Sequence, residues 1–226
     1  VAMQIKLERA VFVPGDLARV TISQSFTPDE PIAGKLSGSI SLKDSKQEKE
    51  LKEVAGVEPD LTKPVWVEAS IPELPDGNYQ LTLTLRPKGD EPIVKSATVL
   101  VARGLNARVA AIKNRAVQVA AKLKADKKDG LLLAIPAVEY AASMVEMANS
   151  GRLSVERADV KGAVVNASET LDRIEKGEDP LRARRGDIHW AYRSAVDDTV
   201  QPYRFYVPTN YDAKKKWPMI VALHGM

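Results

Sequence analysis

The sequence predicts a multidomain chain: an all-β sandwich over residues 1–103, a three-helix α unit over 104–182, and the first strands of a further, incomplete domain over 186–226. Three observations predict this order. Up to about Ala102 apolar residues alternate with polar ones, the period of a half-buried strand. From Leu105 to Ile174 they recur at steps of three and four, the period of an amphipathic helix. From His189 the alternation returns and leads to the apolar stretch Pro218–Leu223.

Composition narrows the function classes. At 226 residues, 44% apolar and 28% charged, the chain is that of a globular protein with room for one large domain or two ordinary ones. Lys and Arg number 33 against 30 Asp and Glu, with no basic stripe, so nucleic acid is not an expected partner. The run Lys214, Lys215, Lys216 reads as solvated loop charge. The chain has no cysteine, which excludes disulfides, thiolate metal sites and a cysteine nucleophile. His189 and His224 are the only histidines, too few for a zinc site, and the glycines stand singly rather than in a phosphate-binding loop. No metal and no cofactor is therefore expected. No apolar stretch is read as long enough to span a membrane. The chain opens on Val1 and Ala2 without an initiator methionine or an apolar signal region, so a processing boundary is expected there.

In the first region the turn signals Pro14-Gly15-Asp16 and Pro75-Asp76-Gly77 separate short strands. The clearest is Tyr79–Leu85, with Tyr79, Leu81, Leu83 and Leu85 on one face and Gln80, Thr82 and Thr84 on the other. The same period places Val65, Val67, Ala69 and Ile71 inward, then Leu36, Gly38, Ile40 and Leu42, then Ala97, Val99 and Val101. About seven strands in roughly a hundred residues suit two packed antiparallel sheets. The stretch LPDGNYQLTLTL, residues 74–85, resembles the turn and strand that carry the tyrosine corner of immunoglobulin-like domains, with Tyr79 as the corner residue. Without a cysteine pair, the resemblance is to the wider immunoglobulin-like group of bacterial enzymes and surface proteins. The charged stretch 43–63 is predicted as an exposed connection with a short helix.

Three helices follow. The first carries the stripe Leu105, Val109, Ile112, Ala116, Val119 and Leu123. The second, Leu131–Ala148, carries two stripes: Leu131, Ile135, Val138, Ala142 and Val145, and beside it Leu133, Ala137, Tyr140, Met144 and Met147. So wide an apolar arc makes it the central helix. Pro136 is tolerated only in a first turn, which starts the helix near Ala134, and Gly151 stops it. Glu139 and Glu146, seven apart on one face, are read as a solvated edge or as salt bridges to the neighbouring helices rather than as a carboxylate pair, and Met144 and Met147 as core filler. The third helix is predicted to begin at Ser154 as N-cap and to turn Val160, Val164, Ala167, Leu171 and Ile174 inward until Gly177 and Pro180. The sequon Asn166-Ala167-Ser168 falls inside it and is discounted.

Beyond Gly186, a turn at Asp197-Asp198 joins two strands, the second with Tyr203, Phe205 and Val207 on one face. The succession of this pair, Gln201-Pro202-Tyr203, Tyr206-Val207-Pro208, Asn210-Tyr211-Asp212, a basic loop and PMIVALHG (218–225) resembles the entry into the α/β-hydrolase domain of bacterial serine esterases and peptidases. The similar groups are polyhydroxybutyrate depolymerases, feruloyl esterases and prolyl-oligopeptidase-like enzymes. The resemblance covers residues 187–226 and implies that His224 and Gly225 form the turn after a central strand, with Met226 where an oxyanion-hole donor begins.

No Gly-x-Ser-x-Gly nucleophile elbow occurs in the chain, so no catalytic residue is assigned and His224 is not proposed as a base. A triad of Ser194, His189 and Asp197 is rejected, because proximity along a strand does not make a nucleophile and a base converge. The resemblance thus implies the N-terminal region of a serine hydrolase that cleaves an ester or peptide by acyl transfer, inactive alone and extracytoplasmic. The expected partner is the remainder of the hydrolase domain or a second copy of the chain, paired with the strand 218–223. The alternative is a non-enzymatic binding or structural module whose sandwich contacts protein or carbohydrate.

Overall fold

The computed structural model describes residues 3–24, 36–44, 48–57, 65–86, 91–156, 158–182 and 184–222. Eight strands come first: β1 (Met3–Leu7), β2 (Val11–Phe12), β3 (Leu17–Gln24), β4 (Leu36–Lys43), β5 (Glu48–Val57), β6 (Val65–Ser70), β7 (Gly77–Arg86) and β8 (Ile93–Val101). Helices α1 (Leu105–Ala125), α2 (Asp129–Leu132), α3 (Ile135–Asn149) and α4 (Val160–Glu175) follow, then the hairpin β9 (Gly186–Arg193) and β10 (Val200–Val207).

One sheet has the order β1-β3-β6, another β2-β8-β7-β4-β5, and the hairpin is a third of two strands. Alternation builds the core between the first two. Ala18, Val20 and Ile22 of β3 and Val67 and Ala69 of β6 meet Ile40, Leu42, Leu81, Leu83, Leu85, Val99 and Val101 of the larger sheet. Ile40 lies opposite Leu83 and Leu42 opposite Leu81, so the register keeps every inward side chain over the core. Tyr79 Oη donates to Pro75 O at 2.9 Å, which anchors the start of β7 to the preceding turn. Gly38 is the exception to side-chain filling. A Cβ there would stand 1.8 Å from the carbonyl oxygen of Thr84, so β4 approaches β7 too closely for any side chain.

All six residues of the α1 stripe, Leu105, Val109, Ile112, Ala116, Val119 and Leu123, are buried. Helix α3 is the central one: it packs on α1, α4, both strands of the hairpin and β2. Pro136 sits in its first turn, where no intrahelical donor is lost. Gly151 follows α3 at φ +67°, and a Cβ on it would meet Glu8 O at 2.9 Å. Ion pairs tie the helices at their rims. Arg115 of α1 holds Asp172 and Glu175 of α4 at 2.6 Å each, Lys113 pairs with Glu146, and Glu139 pairs with Arg193 of β9. The Arg115 hydrogen bond holds the Glu175 carboxyl below the usual range. The stabilisation from this depressed pKa is present at neutral pH and is lost as acid protonates the carboxylate.

The structure corrects the expected fold class. An immunoglobulin-like sandwich, a separate three-helix domain and the opening strands of an α/β-hydrolase domain do not follow one another; the chain is a mixed α/β structure with three sheets. The physical reason is a continuous apolar cluster. Ala10, Val11, Leu100 and Ala102 of the β region, the inward faces of α1, α3 and α4, and Ile188 and Trp190 of the hairpin are buried together. Ala10 N also donates to Ala148 O at 2.9 Å, across the β and helical parts. The hairpin therefore lies on the helices and does not begin a parallel sheet, and residues 218–222 form no strand.

Four local expectations change as well. The charged stretch 43–63 contains strand β5, paired with β4, in place of a connection with a short helix. Pairing along β4 outweighs the charge because β5 is the outer strand of its sheet, where charged residues are tolerated. Ala97 is exposed, so full burial along β8 begins at Val99, although Ile93 at its start also packs against the core. The third helix starts five residues later than predicted: Asp159 is its N-cap, with Oδ1 accepting from Gly162 N at 2.8 Å. Asp159→Ala removes that acceptor and is expected to lower stability by about 1 kcal/mol in urea unfolding, with Asp159→Asn retaining most of it. Finally, residues Asp129–Asn149 are long and apolar enough to cross a membrane by length and composition, contrary to the sequence reading. Here the segment is split at Leu133 and Ala134, and its apolar side packs in the core.

Candidate functional site

The second stripe of α3 is only partly buried, with Ala137 at the edge of the main core. Ala137, Tyr140 and Met144 are half-buried and form one wall of a groove of about 660 Å³. Helix α4 forms the opposite wall with Gly162, Ala163, Asn166 and Ala167, whose short side chains keep the helix surface low. The hairpin closes one end through Ile188 and Trp190, which are 4% exposed each. Their burial follows from the strand period: Ile188 and Trp190 are buried against the helices, while Asp187 and His189 alternate with them as exposed residues at the rim of the groove.

Arg184 enters from the segment before β9. Its guanidinium lies over the Trp190 ring at 5.3 Å from the centroid, and Nη2 donates to Thr170 Oγ1 at 3.4 Å. Thr170 in turn donates to Asn166 O at 2.7 Å. Burial, and then the charge of Arg173, push the Arg184 pKa down; Glu169 opposes them only through space. No carboxylate forms an ion pair with Arg184 among the described residues, although it is half-buried. The two carboxylates that reach the groove are engaged elsewhere. Asp159 caps α4, and Asp187 accepts from Arg204 Nε at 2.6 Å and from its Nη2. Arg204 is the main cause that holds Asp187 below the usual carboxylate range, with His189, 3.6 Å away, a smaller one. Arg185 is tied to the carbonyls of Arg182 and Arg184 and packs on Tyr211.

The predicted oxyanion residues His224, Gly225 and Met226 lie outside the described residues. Just before them, Met219, Ile220 and Val221 are 85%, 92% and 70% exposed. The rejected triad has no geometry: His189 pairs with Asp187, and Ser194 serves the hairpin turn, accepting from Val196 N at 3.2 Å. The hydroxyl of Thr170 donates to the Asn166 carbonyl and accepts from Arg184, and among the described residues lining the groove no base is bonded to it. Its equipment is that of a binding surface: an apolar floor, one aromatic wall and a cation.

Sequence reasoning missed Arg184 and Trp190 as neighbours of Thr170. The one available signal was the basic cluster Arg182, Arg184 and Arg185 ahead of a strand with an inward tryptophan.

Neither a protein family nor a curated protein matches the chain. Among solved structures it is similar to the soluble domain of PmoD from Methylocystis sp., at 10% identity and TM-score 0.29 over 44% of this chain and 90% of that one. It is also similar to the sensor domain of the anti-sigma factor RsgI4 in Pseudobacteroides cellulosolvens, at 10% identity and TM-score 0.29 over 44% and 76%. The sporulation control protein Spo0M from Bacillus subtilis aligns at 14% identity and TM-score 0.29 over 50% and 54%.

Proposed function

We propose that the chain is the non-catalytic N-terminal region of a serine hydrolase that cleaves an ester or peptide by acyl transfer. The observation that supports the reading is the exposed apolar row Met219, Ile220 and Val221, separated by two residues from His224-Gly225 in an order that resembles that of bacterial esterases and peptidases. Consecutive apolar side chains left in water are surface that a partner buries. The remainder of the hydrolase is that partner, and it brings the nucleophile elbow, for which the sequence 1–226 has no Gly-x-Ser-x-Gly motif, together with the acid and histidine.

Residues 1–226 are expected to show no turnover of p-nitrophenyl acetate above a protein-free control, and no labelling by a fluorophosphonate probe. The longer protein from the same gene is expected to be labelled at a serine outside these residues. Labelling of any serine within 1–226 would overturn the proposal, as would a longer reading frame without a nucleophile elbow. A second reading, a non-enzymatic binding module, draws on the groove and its unpaired arginine. It is favoured if the longer protein carries no probe-reactive serine.

A further inference from the structure

We infer that the groove between α3, α4 and β9 is a binding site for an organic monocarboxylate with a short apolar body, and that Arg184 is the residue that receives the carboxylate. The inference goes beyond the proposed function and does not depend on it, because the site lies wholly within the described residues and needs no turnover.

Charge accounting comes first. A guanidinium carries five N–H donors, and a half-buried one is normally paired with a carboxylate. Arg184 makes one long bond, to Thr170, and stacks on Trp190. Among the described residues no buried side-chain nitrogen or oxygen lacks a partner. The remaining Arg184 donors are therefore not sealed in the core: they open onto the groove that Arg184 lines. Asp187 is paired with Arg204 and Asp159 caps α4, so neither forms an ion pair with Arg184, and Glu169 acts on it only through space.

Shape selects the rest of the ligand. Ala137, Met144, Ala163 and Ala167 offer apolar floor, and Tyr140 offers an aromatic edge, while the volume falls within the range of small-molecule clefts. A bare inorganic anion would leave that floor wet. An uncharged apolar molecule would leave the guanidinium without a counter-ion. A carboxylate on a short alkyl or aryl body satisfies both, because the guanidinium fork matches two carboxylate oxygens.

The test uses phenylacetate, 4-phenylbutyrate and octanoate as probes on residues 1–226. Binding is read by calorimetry and by Trp190 fluorescence in a background carrying Trp66→Phe and Trp217→Phe. At least one probe is expected to bind saturably with a Kd of about 1 mM or tighter. Its uncharged amide is expected to bind at least tenfold more weakly, and Arg184→Gln to weaken the carboxylate by at least tenfold, about 1.4 kcal/mol. Arg184→Lys restores part of the affinity. If Arg184→Gln fails to fold, Ala163→Phe, which fills the groove from a half-buried position on α4, must abolish binding. The inference is overturned if none of the three probes saturates, if the amide binds as well as the acid, or if a folded Arg184→Gln or Ala163→Phe protein binds undiminished.

Discussion

Trp190→Ala is expected to lower the free energy of unfolding by about 3–5 kcal/mol, the range of large aromatic truncations in a core. Trp190 is almost wholly buried in the cluster that joins the hairpin to α1, α3 and α4, and it also supports the Arg184 guanidinium. A two-stranded hairpin does not hold together in water by itself, so β9 and β10 depend on this contact for their place on the helices. Urea unfolding followed by far-UV circular dichroism measures the loss. Hydrogen exchange adds the location: amides of β9 and β10 should lose protection before those of β7. A loss below about 1 kcal/mol would show that the tryptophan is not what fixes the hairpin.

Gly38→Ala is expected to cost about 3 kcal/mol or more, although it adds a single methyl group. The added Cβ would overlap the Thr84 carbonyl at 1.8 Å, and the obstacle is backbone, which no rotamer change can move aside. Relief requires β4 to withdraw from β7, which loosens the pairing of Gly38 with Leu85 and of Ile40 with Leu83. Those residues sit in the middle of the sandwich core, so the damage spreads to both sheets. A melting temperature equal to that of the unchanged protein would show that the strands are farther apart than described. By contrast, Gly130→Ala, where a Cβ meets nothing within 4 Å, should be tolerated.

The residues explain what was readable in advance. The α1 stripe was legible because a single long amphipathic helix encodes its buried face in its own spacing. The same holds for β7, whose alternation of Tyr79, Leu81, Leu83 and Leu85 matches its burial. Glu139 and Glu146 read as a solvated edge or as bridges to neighbouring helices; Glu146 does pair with Lys113 of α1, whereas the partner of Glu139 is Arg193 of strand β9. Strand β5 was hidden because an outer strand can carry charge on nearly every residue while its backbone pairs with a neighbour. The start of α4 was missed because Ser154 and Asp159 are both good caps by type, and only the chain's path decides between them. The groove could not be read at all. Its two walls are separate helices, and its cation is separated from Thr170 by fourteen positions. The joining of the β and helical parts was equally invisible, because Ala10, Leu100 and Ala102 look like ordinary strand residues until the helices cover them.

That joining determines where the gene can be cut. A deletion that ends the polypeptide at residue 103 would strip the cover from Ala10, Val11, Leu100 and Ala102 and leave Ala10 N without its acceptor on Ala148. The helices expressed from residue 104 onward would in turn lose the surface against which α3 rests. Each half carries a complete sequence pattern of its own, yet neither carries a complete outside.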